Sequence, residues 1–496
     1  MSGTLVDEFF AIRSTIRGHE LEIESIDTSI QSLLLQLRQL RTQRARHVDT
    51  IAKCRGSISL VLRAPDEVLA LIFEHCAASG WVNAPLVLSH VCTKWRRASF
   101  APRVWSHIHL TSNSLDAVAK TRLWLSRALQ SPLRVMVDVR LLEPNLLNAF
   151  KSILDHASEW RSLTLSTRFV QQASDILSHC RRHPISKLRT LDITSFSIGV
   201  ATEQGRVDEL AGLDDAFSDA PSLSCVRIVS NRFPPSLPNA VVKLSMELTG
   251  IVSSRPSLSA ALQMLGRLPS LRNLTLIIPL CFARIIQNDE DFKTETCLRY
   301  LECLVVDAPP DFNKVLRHIQ APALRSLHLR STGPPSNHPH EGTGKALLQF
   351  LKSSNPQIKF LELHDFDIPR DDFVQCFSSL PFLEELRLHR TEIPDHSLST
   401  LQGPNGSCPC LKRLDLRSCK QPAGRALVAL VRSRISPDGS RRTSIDPIER
   451  ITLINCARVD EFSILNLSQA TVCSVAVRNL ADYHRTPSLI STLASI

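Results

Sequence analysis

Three cysteines, Cys408, Cys410 and Cys419, stand close enough together to suggest thiolate ligands for zinc. A structural zinc site needs four Cys or His donors at paired spacings, and no second Cys or His pair completes this set. His338, His340 and Glu341 add imidazole and carboxylate donors, but in a Pro-rich stretch that offers no rigid element and no further ligand. No metal and no cofactor is expected. The chain also lacks a Walker-type phosphate loop, a G-x-G-x-x-G turn after a strand, a G-x-S-x-G elbow and an H-E-x-x-H helix. The expectation is therefore a non-catalytic protein, not an enzyme. One modification motif stands out: RRTS at Arg441–Ser444 has the form of a basophilic kinase site, where a phosphate would add negative charge to a binding surface.

The chain has 496 residues, 43% of them hydrophobic and 21% charged, which is the composition of a folded protein too long for one compact core. Lys and Arg outnumber Asp and Glu by 58 to 48, a surplus that is dilute over this length. The basic run between Arg38 and Arg63 has no interleaved aromatics and no DNA-reading module, so no nucleic-acid partner is expected. The apolar runs reach strand length, as in Leu274–Phe282, and fall short of the roughly 18 residues that a membrane span requires. Asp7 and Glu8 interrupt the segment where a secretory signal would need an apolar core. The 14 cysteines are scattered singly, as suits a reducing compartment, the cytoplasm or the nucleus.

Stepping along the chain, Ile23, Ile26, Ile30, Leu33, Leu37 and Leu40 alternate three and four apart and wind one apolar seam along a helix. Arg44 and His47 take the next two seam positions, so the apolar seam is short. It allows a homodimer through a coiled coil, with intramolecular packing as the alternative. Acids precede Thr28 and Arg38, Arg41, Arg44 and Arg46 follow, the order that complements a helix macrodipole.

Gly56 and Pro65 bracket a break, after which Pro65, Asp66 and Glu67 make a strong helix start. Val68, Leu69, Ile72, Phe73 and Cys76 form one stripe on that helix, and a second helix from about Pro85 to Ser99 carries Leu88, Val91, Cys92 and Trp95. Trp95 and Trp105 are expected to anchor this small bundle. A unit of about 50 residues buries little surface and gains much from a partner. The segments Ala64–Cys76, Leu86–Ser99 and Ala101–Leu110 together resemble an F-box: a proline before an acidic helix start, Leu-x-x-Ile-Phe, then Val-Cys-x-x-Trp-Arg, then Pro-x-x-Trp. Ala64 stands where that family usually has leucine. The heptad helix in front is similar to the leader of many fungal members.

Farther on, the helical stretch Ser114–Leu129 leads to the alternating strand Leu133–Val139. Then an L-x-x-L-x-L pattern recurs, with its middle residue at Leu191, Leu274, Leu304, Leu327, Leu361, Leu386, Leu414 and Ile451, and in weaker form at Leu163, Val226 and Leu244. The last two apolar positions lie two apart on a short strand and point inward, so stacked copies cover one another. The copies stand mostly roughly 23 to 35 residues apart, a spacing that suits leucine-rich repeats with variable helical returns such as Lys345–Ser354, Asp371–Leu380 and Gly424–Ser433. Cys419, Cys456 and Asn231 each follow the middle residue by five, the turn position where such repeats favour Asn or Cys, which gives Cys419 a structural role. The segments Ser331–Gly344 and Arg434–Pro447 read as surface insertions.

The expected architecture is thus α/β: a coiled-coil helix over residues 1–55, an F-box bundle over 56–110, a linking helix and cap strand over 111–150, and an irregular leucine-rich-repeat solenoid, a horseshoe, over 151–496. The resemblance implies a substrate-recognition subunit of an SCF-type ubiquitin ligase, whose F-box docks a Skp-family adaptor and through it a cullin, while the repeats hold a target protein. The adaptor surface it implies is drawn from Pro65, Val68, Leu69, Ile72, Phe73, Val91, Cys92, Trp95 and Arg96, some of which must be bundle core. The solvent-facing strand positions Glu362, His364, Glu385, Arg387, His389, Lys412, Asp415 and Arg417 are the candidates for target binding. The competing expectation is a leucine-rich interaction scaffold that dimerises through its N-terminal helix, with the F-box-like segment serving as a cap on the solenoid.

Overall fold

The computed structural model describes residues 3–476 apart from 59, 113–115, 142, 182, 196–212, 218–219, 232, 235, 250–257, 280–294, 310–314, 332–340, 366–367, 392, 404 and 436–444. The RRTS motif and His338 and His340 fall outside the described residues. The chain divides into two compact units, Met1–Val104 and Trp105–Ile496.

The first unit opens with one helix, Gly3–Ile58, which runs through Gly56 rather than ending there. Glycine costs a helix interior only about 1 kcal/mol; a short helix, Leu60–Arg63, follows, and Pro65, whose ring bars its continuation, sits at φ −56° as the residue capping the next helix, Asp66–Ala78. The helix expected from Pro85 to Ser99 is two helices, Ala84–Ser89 and Thr93–Ser99. Cys92 between them is fully extended, at φ −159° and ψ 172°. Arg96 accounts for the break: its Nε donates to the Ser89 carbonyl at 2.9 Å, satisfying an acceptor that the ended helix leaves open.

The second unit is built on a 14-stranded sheet in which strands follow one another in chain order and every pairing is parallel. It begins at His107–Thr111, inside the stretch assigned to the helical module, and continues through Leu133–Val139 and Trp160–Thr167 to Val472–Ala476. Trp105 belongs to this unit too. Its ring packs edge-on against Trp124 at 5.1 Å, which makes it an anchor for the start of the sheet. Parallel neighbours need crossover connections, and helices such as Val170–Cys180, Glu341–Ser354, Arg370–Ser378, Gly424–Ser433 and Glu461–Ala470 supply them.

The repeated leucines form the core. Leu191, Leu244, Leu304, Leu327, Leu386 and Leu416 are all fully buried, and strand after strand alternates inward and outward positions. Registers align these residues directly, as in Leu327 to Leu361, Leu361 to Leu386 and Leu386 to Leu414. This is a leucine-rich-repeat type of solenoid, mixed α/β.

Each turn after a C-terminal strand repeats one device. Asp365, Arg390, Ser418 and Asn455, four residues past the middle leucine or isoleucine, all have φ between 50° and 55°. That left-handed conformation aims each N–H at the following strand, where the carbonyls of His389, Arg417, Ile454 and Ala476 accept at 2.9, 2.8, 2.7 and 3.2 Å. The next residue back-bonds to the preceding repeat: Thr391 Oγ1 to the Leu363 carbonyl at 3.4 Å, Cys419 Sγ to Leu388 at 3.3 Å and Cys456 Sγ to Leu416 at 3.5 Å. The turn cysteines are therefore structural donors. Burial pushes the Cys419 thiol up to about 12, as it does the Cys408 thiol, which leaves neither a ready thiolate.

Candidate interaction surfaces

The helix Asp66–Ala78 is apolar on two adjacent flanks, and its packing assigns them different tasks. Leu69, Phe73 and Ala77 are buried, with the Phe73 ring 5.1 Å from Trp95 on the helix Thr93–Ser99. Leu88 and Ala98 complete this core. On the other flank Val68 is 46% and Ile72 47% exposed, one helical turn apart, with Leu71 at 54% beside them. Val87 and Val91 are also exposed, and Pro65 and Arg96 are exposed while Cys92 and Trp95 are half-buried.

The nine residues assigned to adaptor binding thus separate: Leu69 and Phe73 hold the bundle together, and Pro65, Val68, Ile72, Val91 and Arg96 reach solvent. Sequence periodicity cannot make that division, because both flanks are apolar. The helix start is pinned by Arg97, whose Nε and Nη2 both donate to the Asp66 carboxylate, the second at 3.0 Å. Hydrogen bonding by Arg97 holds the Asp66 carboxyl below its usual range. The Trp95 indole N–H is buried and finds no acceptor among the described residues.

Six of the eight target-binding candidates come together as rows on the outward face of the sheet, whereas Glu385, expected to face solvent, is buried and Lys412 lies just before its strand. Registers place His328, Glu362, Arg387 and Asp415 in one row, and Arg330, His364, His389 and Arg417 in the next. Much of this charge is already paired. Glu385 accepts from Arg387 Nε at 2.7 Å and from Arg413 Nε at 2.6 Å. Asp415 accepts from Arg417 through Nε at 2.9 Å and Nη2 at 2.7 Å, and Glu362 meets His328 Nδ1 at 3.0 Å. Lys412 lies 3.6 Å from Asp446. Arg387 stacks over the Phe360 ring at 4.9 Å, and the His328 ring lies 4.7 Å from the same phenyl.

These contacts set the protonation of the face. Burial disfavours charge on His328, yet hydrogen bonds with Cys303 and Glu362 outweigh it and carry the imidazole up to about 9. Burial likewise opposes ionised Glu362, but the His328 hydrogen bond, His389 once acid has protonated it, and Arg387 hold it down to about 2. His389 is pushed down to about 4, chiefly by burial, so it stays neutral beside the charged pair. His364 and His389 stack edge-on at 5.3 Å. Sequence reasoning missed His328, Arg330 and Arg413. The signal was present, since His328 sits between Leu327 and Leu329 as Glu362 sits between Leu361 and Leu363.

No group of three or more His, Cys, Asp or Glu side chains positioned for a metal occurs among the described residues, and no described helix is long and apolar enough to cross a membrane. No family model and no curated protein matches the chain. Among solved structures, the crystal structure of the TLR13–ssRNA13 complex is similar at 14% identity and a TM-score of 0.29, over 76% of this chain and 56% of that one. The chain spans little more than half the length of that structure's chain, and a likeness of this size carries no argument about function. The repeat architecture rests on the parallel sheet and its leucine registers.

Proposed function

We propose that the chain is a substrate-recognition subunit of an SCF-type ubiquitin ligase, with residues 64–105 as an F-box that docks a Skp-family adaptor and the solenoid holding a target protein. One observation carries the proposal. The segment that resembles an F-box forms a small helical unit whose core uses Leu69 and Phe73 while Val68, Leu71, Ile72, Val87 and Val91 stay exposed, an apolar surface unusual for so small a unit without a partner. The mechanism is positioning: a target held beside a charged ubiquitin-conjugating enzyme experiences a raised effective concentration, so the receptor needs no catalytic residue and no cofactor. Work of this kind belongs in the cytoplasm or nucleus.

The test is co-expression of the full chain with a Skp-family adaptor, followed by affinity purification. The wild type should recover the adaptor at equal stoichiometry, and the Pro65→Ala, Ile72→Asp double variant should lose it while eluting as a folded protein. A folded wild-type chain that recovers no adaptor supports the second reading, a leucine-rich-repeat interaction scaffold. That reading draws on the long exposed N-terminal helix.

A further inference from the structure

Residues 8–55 of the N-terminal helix are exposed throughout. The helix is about 84 Å long at 1.5 Å per residue, and its apolar seam extends on both sides of the six central residues. Continuing the three-four alternation backwards from Ile23 meets His19, then Ile16, Ile12 and Phe9, and forwards from Leu40 it meets Arg44 and His47, then Ile51 and Cys54. Phe9, Ile12, Ile16 and Ile51 are all more than half exposed, like Ile23 and Ile26. A seam this long left open to water calls for an occupant.

We infer that the occupant is a second copy of the same helix, running antiparallel, with Ile30 of one chain facing Leu33 of the other. In that register Ile26 faces Leu37 and Ile23 faces Leu40, so all six central residues meet apolar partners. Sliding by one heptad in either direction breaks that match, because Leu37 then faces His19, or Ile26 and Ile23 face Arg44 and His47. Beyond the centre His19 lies against Arg44, Ile16 meets His47 in the one mixed layer, Ile12 meets Ile51 and Phe9 meets Cys54.

A parallel pair would keep the central residues matched as well, so charge decides the direction. Parallel chains set Arg44 on Arg44 and bring Glu22 of one helix beside Asp27 of the other. Antiparallel chains lay the acidic stretch Glu20, Glu22, Glu24 and Asp27 along the basic stretch Arg38, Arg41, Arg44 and Arg46, with Glu20 and Asp27 flanking the seam on the same side as Arg41. The opposed macrodipoles add to that preference. The inference is independent of adaptor docking.

The test uses the full chain. Light scattering coupled to size exclusion should give a dimer at micromolar concentration for the wild type and a monomer for Ile26→Asp with Ile30→Asp. The orientation is read from a Phe9→Cys variant under mild oxidation, where peptide mass spectrometry should find an inter-chain link between position 9 and the native Cys54. Arg41→Glu should weaken the dimer about fivefold, as loss of a few exposed charge pairs does, and adding Glu20→Arg and Asp27→Arg should restore it. A wild-type monomer overturns the inference, as does a larger oligomer. Links of Cys54 to Cys54 or of position 9 to position 9 overturn the antiparallel direction.

Discussion

Arg434 is 3% exposed and forms no ion pair with a carboxylate among the described residues; its guanidinium instead donates to five backbone carbonyls. Leu401, Ser407 and Cys408 accept at 2.9, 3.0 and 3.1 Å, and Leu411 and Asp446 at 3.4 and 3.5 Å. The first three are full hydrogen bonds and the last two marginal. Each bond to a charged donor contributes about 1.5–3 kcal/mol, so three give roughly 5–9 kcal/mol. Against this stands the cost of burying the guanidinium, several kcal/mol, which also lowers its pKa. Arg434→Ala removes both terms but leaves the carbonyls unpaired, and the expected loss is about 3–5 kcal/mol.

Because repeats contact mainly their neighbours, that loss should stay local. Hydrogen exchange should speed up in Arg413–Arg417 and Arg450–Ile454, the strands flanking the knot, by roughly a hundredfold to a few thousandfold. Leu133–Val139, far along the sheet, should keep its protection. Arg434→Lys should recover little, since one ammonium cannot reach carbonyls spread around a planar fork. Acceleration below about tenfold in the flanking strands, or equal acceleration in Leu133–Val139, would refute the reasoning.

Three further outcomes are expected. Phe73→Ala should lower stability of the helical unit by about 3–5 kcal/mol, seen in thermal unfolding, whereas Ile72→Asp should change it by less than about 0.5 kcal/mol and abolish adaptor capture. His328, with a folded pKa of about 9 against 6.5 unfolded, stabilises fully below pH 6.5 and loses that contribution as pH rises to 9; Glu362, about 2 against 4.5, stabilises above pH 4.5 and loses it toward 2. His389 works in the opposite sense to His328, losing stability below pH 6.5, so urea midpoints of wild type minus His328→Gln at several pH values isolate the first arm, worth about 1–3 kcal/mol. Ser418→Gly should stabilise the fold by up to about 1 kcal/mol and so raise the melting temperature, because glycine adopts φ 53° without the penalty a Cβ carries; a lowered melting temperature would count against the turn device.

Most of the solenoid was legible because its signal is local and repeated: two inward leucines per strand suffice to place each copy, and the helices expected at Lys345–Ser354, Asp371–Leu380 and Gly424–Ser433 are present within a few residues. What sequence could not yield depends on contacts between distant residues. Val91 and Cys92 fit a helical stripe, yet the Arg96 bond to Ser89 closes one helix and Cys92 extends before the next. Trp105 matches the motif of one module while packing on Trp124 in the other unit. The paired charges around Glu385 and Asp415 became visible only once register set Arg413 beside the one and Arg417 folded back on the other.

The alternation within each strand has an evolutionary consequence. Positions such as Leu361, Leu386 and Leu414 are committed to the interior, whereas neighbours such as Arg387 face outward and answer only to residues of their own and the adjacent strands. Substitutions there can accumulate with little penalty to folding, provided they come in compensating pairs where an acid and a base share a contact. A lineage carrying this scaffold can thus rewrite the charge pattern of the outward rows while leaving the leucine ladder untouched.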